Sequence, residues 1–232
     1  MTLKQYGIIP ALDTIDLSEM QSIIKEIDHF DIIYGYKLGF SLGLGFGLPK
    51  AVDIIRSHTR KPVIYDHQKA ATDIPDTGDL FARIMRDSGV NEVILFPQAG
   101  PVTLRAWITA LQKVSLRVIV GGLMTHAGYT VSEGGYIADN AITSMYRTAF
   151  EAGVSDFVVP LTKPDIVKLT IADAGLDSNC AFYSPGYGKQ GGNPHDFEFI
   201  RHHRLIIGRS LIGASDRCAF IEQTIHRLEG TT

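Results

Sequence analysis

The chain has 232 residues, of which 45% are hydrophobic and 20% are charged, and its formal net charge is −3. This balance is typical of a globular protein and argues against a disordered one. It also gives no reason to expect nucleic acid or an anionic membrane as a partner. The sequence shows no secretory signal and no apolar run of membrane-spanning length, so we expect a cytoplasmic protein.

The two cysteines, Cys180 and Cys218, have neither a metal-binding spacing nor the pattern of a disulfide framework. We expect them to be thiols of a reducing compartment. The histidines form no recognisable metal-ligating set with the carboxylates. We therefore expect no metal.

Short runs rich in Val, Ile and Tyr alternate with helical periods along the whole chain. We predict strands at Gly7–Asp13, Ile32–Leu38, Pro62–Asp66, Glu92–Phe96, Arg117–Gly121, Asp156–Pro160, Ala181–Ser184 and Leu205–Gly208. We predict helices near Asp16–Asp28, Leu48–His58, Thr77–Ser88, Pro101–Lys113, Asp139–Ala152, Pro164–Gly175 and Ser215–Leu228. Between the last two strands we expect only a short helix, at His195–Arg201, and we interpret Gly43–Gly47 as a close-packed turn.

Most of these strands are apolar without alternation, which predicts parallel strands buried under helices. Eight such strand–helix units in 232 residues fit an α/β fold of the (β/α)8 or TIM-barrel type. The alternative is a doubly wound open sheet, but no G-x-G-x-x-G follows the first strand. No linker or change of composition divides the chain, so we predict a single domain over residues 1–232.

Charged residues fall at the carboxyl ends of several predicted strands, the face on which barrel active sites lie. The first three strands end at or near Asp13, Lys37 and Asp66, and Lys69 follows shortly afterwards. Each has an ordinary alternative, such as a surface lysine or a helix cap. Their convergence on one barrel mouth nevertheless predicts a site.

The last two strand ends indicate an anion site. The loop after the seventh strand is rich in glycine at Gly186–Gly192, which lets backbone N–H groups approach an anion closely. Arg209, next to Gly208 at the end of the eighth strand, offers a cationic fork suited to phosphate oxygens. Because barrels often bind phosphate at these two loops, we predict phosphate binding here.

Several motifs carry a more specific resemblance. They are Lys37-Leu-Gly, Asp73-Ile-Pro-Asp-Thr77, Val154-Ser-Asp-Phe-Val-Val-Pro160, Ser184-Pro-Gly with Gln190-Gly-Gly, and Gly208-Arg-Ser. In this order and spacing, the chain resembles the orotidine 5′-phosphate decarboxylase family over essentially its whole length. The resemblance implies cofactor-independent decarboxylation of orotidine 5′-phosphate (OMP) to UMP in de novo pyrimidine biosynthesis.

The resemblance also implies the roles of individual residues. Lys37, Asp66, Lys69 and Asp73 would form an array of alternating charge, with Lys69 as the proton donor. Asp73 and Thr77 would belong to the neighbouring subunit's site in a homodimer. The remaining substrate-binding residues would be Asp13 with Lys37 on the ribose hydroxyls, Thr125 on the pyrimidine, Gln190 between base and phosphate, and Gly208 with Arg209 at the phosphate.

The chain departs from the family pattern at its central motif. The family usually reads Asp-x-Lys-x-x-Asp, whereas this chain reads Asp66-His-Gln-Lys69-Ala-Ala-Thr-Asp73, one residue longer in each gap. On a continuous strand the first extra residue would turn Lys69 to the opposite face. We expect a bulge or loop to compensate, because every charged member of the array is present.

Two other functions remain as alternatives. One is a Mg²⁺-dependent sugar-phosphate lyase of the hexulose-phosphate synthase or ketogulonate-phosphate decarboxylase type. Lys37, Thr125 and Gln190 suit a pyrimidine nucleotide better than an enediolate on a metal. The other is a non-catalytic nucleotide-binding barrel, in which the lengthened motif no longer supports turnover.

Overall fold

The computed structural model describes residues 5–67 and 72–230 of the protein. Its strands are β1 Gln5–Pro10, β2 Tyr36–Leu38, β3 Val63–Asp66, β4 Glu92–Leu95, β5 Arg117–Gly121, β6 Asp156–Val158, β7 Ala181–Pro185 and β8 His202–Ile207. Its α-helices are α1 Leu17–Ile27, α2 Phe40–Leu42, α3 Leu48–Arg56, α4 Gly78–Asp87, α5 Pro101–Lys113, α6 Asp139–Glu151, α7 Pro164–Ala174, α8 Arg209–Ile212 and α9 Arg217–Glu229. Short 3-10 turns occupy Pro75–Thr77, Val131–Glu133 and Pro194–Phe197.

The strands form one parallel sheet in the order β1-β8-β7-β6-β5-β4-β3-β2. The two end strands also meet, because Ile8 pairs with Ile33 and Ala11 pairs with Lys37 in parallel bridges. The N–H of Leu12 donates to the carbonyl of Lys37 at 2.9 Å. The sheet is therefore a nearly closed barrel with helices between its strands, as predicted for a TIM barrel.

Strand side chains alternate between the barrel interior and the layer under the helices. Ile9, Ile64 and Ile94 belong to the interior cluster, whereas Ile8 and Val63 pack in the larger cluster that includes the helices. Burial on both faces explains why the strand sequences are continuously apolar and do not alternate with polar residues. Packing on both sides gives the strand ends a rigid support.

Polar groups close the amino-terminal end of the barrel. Glu92 and Asp156, the first residues of β4 and β6, are buried. The hydroxyl of Tyr183 donates to Asp156 at 3.0 Å and to Glu92 at 3.3 Å, and that of Tyr34 also donates to Glu92. Arg204 lies 3.3 Å from Asp156. These partners offset the cost of burying two carboxylates.

The interpretation of Gly43–Gly47 as a close-packed turn was wrong. These residues form a π-helical turn that continues α2 into α3, and Leu44 within it is 81% exposed. Glycine is a poor helix former, so the local composition masked the turn. Among the helices of the described residues, none combines the length and the apolar character needed to cross a bilayer.

Candidate active site

An open cavity of about 400 Å³ lies at the carboxyl ends of the strands. It contains seven of the ten residues that we predicted for the site, namely Asp13, Lys37, Asp66, Thr125, Gln190, Gly208 and Arg209. Apolar side chains from the barrel interior, Ile94, Val158 and Ile206, form its floor. The cavity therefore has an apolar base with charged groups on its walls, which is the usual composition of a small-molecule site.

Lys37 is the charged centre of the cavity. Its Nζ lies 2.8 Å from Oδ2 of Asp66 and 3.5 Å from Oδ1 of Asp13. Lys37 and Asp66 are only 4% and 6% exposed, and burial of such charges is tolerated only when they are paired. Neighbouring strands bring them together, because β2 and β3 pair Lys37 with Ile64, two residues before Asp66.

The carboxylates keep Lys37 charged. Burial in itself lowers the pKa of the Lys37 ammonium, but the charges of Asp66 and Asp13 outweigh it, so the pKa is raised from its ordinary value. Lys37 is therefore an ammonium at neutral pH. A cation next to two carboxylates can donate hydrogen bonds to hydroxyl groups of a ligand while the carboxylates accept them.

The glycine of the Lys37-Leu-Gly motif makes room for Asp13. A Cβ atom at Gly39 would lie 2.8 Å from Oδ1 of Asp13. Any side chain at this position would push the carboxylate away from Lys37. The motif thus supplies the Lys37 cation and, through Gly39, the space that the carboxylate of Asp13 occupies.

The segment after Asp66 departs from a regular strand. The N–H of His67 donates to the carbonyl of Ile94 at 3.1 Å, and the N–H of Thr72 donates to that of Phe96 at 3.3 Å. In a regular parallel pair, donors that serve acceptors two residues apart are themselves two residues apart. Here the donors are five apart, so the chain has three more residues between these anchors than a continuous strand needs.

Lys69, the predicted proton donor, lies outside the described residues. Asp73 and Thr77 lie beyond it, and neither is among the described residues that line the cavity. Asp73 is exposed, and the hydroxyl of Thr77 donates to the carbonyl of Ile74 at 2.8 Å. Within one chain, the structure therefore brings Asp13, Lys37 and Asp66 together but does not bring Asp73 and Thr77 into their cavity.

The glycine-rich loop after β7 lines the same cavity as Lys37. Gly186, Gly188 and Gly191 all have positive φ angles, of 115°, 77° and 77°, a conformation that favours glycine. The N–H of Lys189 donates to Oγ of Ser210 at 3.1 Å, and a Cβ at Gly188 would lie 2.3 Å from that oxygen. The loop is thus docked against the residue that follows Arg209.

Sequence reasoning missed several residues that line the cavity, among them His126, Tyr187, Lys189 and Ser210. Lys189 is the most informative of these, because it adds a second cation on the side of the cavity that contains Arg209. Its position between Gly188 and Gln190, inside a loop already predicted to bind an anion, was a signal that could have identified it.

Thr125 is held in place by the loop that follows β6. The hydroxyl of Thr162 donates to the carbonyl of Thr125 at 3.3 Å. Lys163 donates to the carbonyl of His126 at 3.3 Å and forms an ion pair with Glu133. These contacts fix the segment after β5 on the wall of the cavity.

Within residues 5–67 and 72–230, no three or more His, Cys, Asp and Glu side chains are grouped so that they could hold a metal ion. The acidic residues of the cavity, Asp13 and Asp66, instead share the ammonium of Lys37.

Comparison with known proteins identifies the family. The model of the Orotidine 5′-phosphate decarboxylase / HUMPS family matches residues 7–223. The chain belongs to this family. Among curated relatives, orotidine 5′-phosphate decarboxylase from Methanosarcina mazei is 31% identical over 228 residues, covering 96% of this chain and 97% of its own. The enzyme of the same name from Methanococcoides burtonii is 31% identical over 208 residues, covering 90% of each chain.

Solved structures of decarboxylases in this family share the fold. The crystal structure of orotidine 5′-monophosphate decarboxylase from Methanocaldococcus jannaschii, complexed with inhibitor BMP, has a TM-score of 0.82 at 22% identity, covering 98% of this chain and 99% of its own. That of orotidine 5′-phosphate decarboxylase from Pyrococcus horikoshii OT3 has a TM-score of 0.79 at 22% identity, covering 96% and 99%. Both agree with the TIM barrel described above.

Proposed function

We propose that this chain is an orotidine 5′-phosphate decarboxylase, which converts OMP to UMP and carbon dioxide. The observation that carries the proposal is the buried Lys37 ammonium between Asp13 and Asp66, in the same cavity as Gln190 and Arg209. A charged cluster and additional cations in one cavity match a nucleotide with a reacting base and a phosphate. A relative named orotidine 5′-phosphate decarboxylase is 31% identical over 96% of this chain, which supports the same function.

The chemistry breaks the bond between C6 of the pyrimidine and its carboxylate. Carbon dioxide leaves and the electron pair stays on C6, where no adjacent carbonyl takes up the charge directly. A proton must then be delivered to C6. We assign this step to the Lys69 ammonium, whose positive charge also stabilises the developing carbanion. Lys69 lies outside the described residues, and its role rests on the family motif.

Asp66 and Lys37 have supporting roles in this proposal. Asp66 faces the departing carboxylate, and repulsion between them falls as carbon dioxide leaves, a ground-state contribution that is itself contested. Lys37 offsets the cost of burying the Asp66 carboxylate by pairing with it at 2.8 Å. Asp13 and Lys37 also offer an acceptor and a donor for the ribose hydroxyls.

The phosphate end provides binding energy away from the reacting bond. Arg209 and the N–H groups of the Gly186–Gly192 loop are suited to phosphate oxygens. Gln190 lines the same cavity, and in this proposal it links the base to the phosphate. Binding energy at the phosphate raises the rate when it helps to order the loop and exclude water from the cavity.

We further infer that the chain works as a homodimer in which Asp73 and Thr77 complete the partner's site. Asp73 is exposed in the single chain. Ile74, Leu80 and Ile84, on the same segment and on α4, are 55%, 53% and 50% exposed. Several half-exposed apolar side chains close together are typical of a surface that another protein covers. A cytoplasmic location is consistent with this soluble-enzyme family and is part of the proposal.

A spectrophotometric assay tests the function. Purified protein should remove the ultraviolet absorbance of OMP, with and without a chelator, and Lys69→Ala should abolish this turnover while UMP still binds. Lys113→Ala, which removes an exposed lysine at the far end of α5, is the matched control and should retain activity. Absence of OMP turnover, together with cleavage of a sugar phosphate that the chelator abolishes, would instead identify the Mg²⁺-dependent lyase. UMP binding without turnover would favour the non-catalytic barrel.

A further inference from the structure

Trp107, the single tryptophan of the chain, is bound to the segment that carries the central motif. It lies on α5 and is 2% exposed. Its indole Nε1–H donates to the carbonyl of Ile74 at 3.0 Å. Ile74 directly follows Asp73, so the indole fixes the backbone at the far end of the Asp66–Asp73 motif.

The same indole ring also reaches the near end of the motif. It stacks on Phe81 of α4, with ring centroids 4.5 Å apart and an interplanar angle of 27°. Phe81 in turn lies 4.5 Å from the ring of His67, and the His67 and Trp107 centroids are 5.8 Å apart. His67 directly follows Asp66. Trp107 therefore contacts both flanks of the motif from outside the cavity.

We infer that Trp107, together with Phe81, is a positioning residue that sets the separation of the two flanks of the Asp66–Asp73 motif. The inference rests on the proposed function, because Lys69 lies between these flanks in the sequence. A strand normally fixes such groups through a continuous hydrogen-bond ladder. Here the N–H donors that pair with Ile94 and Phe96 are five residues apart. These two hydrogen bonds alone therefore do not fix the position of the residues between the donors.

The indole contacts both flanks of the motif at once. A tryptophan used only for packing needs no particular backbone acceptor, although its N–H must find some partner when buried. In this chain the acceptor is the residue next to Asp73, and the ring lies 5.8 Å from that of His67, the residue next to Asp66. Displacement of a catalytic group by about 1 Å can cost a hundredfold in rate. The lengthened motif thus depends on a contact from α5.

The test compares Trp107→Phe with Leu111→Ala. The first variant keeps an aromatic ring but removes the N–H donor. The second removes a fully buried side chain one turn further along α5, away from the motif, and serves as the control for general loss of stability. We expect kcat for OMP to fall about tenfold to a hundredfold in Trp107→Phe with KM within about threefold. Leu111→Ala should retain kcat near that of the unmodified chain.

Hydrogen exchange gives a readout that does not need catalysis. We expect backbone amides of residues 72–78 to exchange at least about tenfold faster in Trp107→Phe, but not in Leu111→Ala. If the unmodified chain decarboxylates OMP and the two variants have equal kcat, the positioning role is wrong while the function stands. If the unmodified chain has no activity, the function is wrong, and unchanged exchange in Trp107→Phe would overturn the positioning role separately. Phe81→Leu provides the same comparison should Trp107→Phe fail to fold.

Discussion

Nζ of Lys37 lies 2.8 Å from Oδ2 of Asp66, and both side chains are almost completely buried. The two residues come from adjacent parallel strands, so their separation is set by the sheet and not by flexible loops. An ion pair held in this way is already in place before substrate arrives. Such preorganised charge is a major source of rate acceleration in enzymes.

Replacement of Lys37 by Met should abolish most activity and destabilise the protein by about 3 kcal/mol, because Asp66 then keeps its burial with one ion pair fewer. The pKa of Lys37 is raised in the folded protein. Its stabilising contribution is therefore complete below its ordinary pKa of 10.5 and is lost only as pH rises through the raised value. Urea unfolding of both proteins should show a constant difference between pH 7 and 9. A difference that disappears within this window would contradict the assignment.

Mixed dimers should reveal whether Asp73 is shared between subunits. Lys69→Ala and Asp73→Asn should each be inactive alone. When the two are unfolded, mixed equally and refolded, half of the dimers pair unlike subunits, and each of these has one site with both original residues. Activity should recover to about a quarter of that of the unmodified protein, by the symmetry of a two-fold dimer. No recovery would show that Asp73 acts within its own chain.

The cations on the phosphate side should affect binding more than chemistry. Arg209→Ala should raise KM by at least about tenfold, since a charged hydrogen-bonding partner contributes roughly 1.5–3 kcal/mol. Lys189→Gln should raise KM less, and the effect should shrink as salt increases, because Lys189 is exposed and screened. Lys113→Gln, which removes an equal charge far from the cavity, is the control. Equal effects at positions 189 and 113 would exclude Lys189 from the anion site.

Strand ends could be read from the sequence because an apolar run that stops at a charged residue is a local pattern. This rule predicted that Asp13, Lys37, Asp66 and Arg209 meet at one barrel mouth, and in the structure all four line one cavity. The same reasoning could not distinguish Lys189 from a surface lysine. Its importance depends on the docking of its N–H on Ser210, a contact 21 residues away in the sequence.

Other features depend on tertiary contacts that no periodicity encodes. The sequence placed Trp107 only within the helix predicted at Pro101–Lys113, and the structure buries it there. Its hydrogen bond to Ile74 joins residues 33 apart and follows from the packing of α4 on α5. The π-helical turn at Gly43–Gly47 was missed for the opposite reason. There the local preference of glycine for turns was overridden by continuity with the neighbouring helices.

The buried carboxylate of Glu92 should make stability depend on pH. Burial raises the pKa of Glu92 above its ordinary value, although the hydrogen bond from Tyr34 acts in the opposite direction. A carboxyl with a raised pKa stabilises the fold fully below its unfolded pKa and loses this contribution as pH rises through the folded value. Glu92→Gln has no such loss. Its free energy of unfolding should therefore rise relative to that of the unmodified protein as pH rises above 4.5, the ordinary pKa of the carboxyl.

Urea unfolding at several pH values measures this difference, with Glu222→Gln as the control because Glu222 is exposed on α9. The control should follow the unmodified protein across the whole range. OMP turnover should change little in Glu92→Gln, since Glu92 lies at the first residue of β4, at the opposite end of the barrel from Lys37 and Asp66. If Glu92→Gln instead lost stability as pH rises, the ion pair of Glu92 with Arg117, at 3.8 Å, would outweigh the cost of its burial.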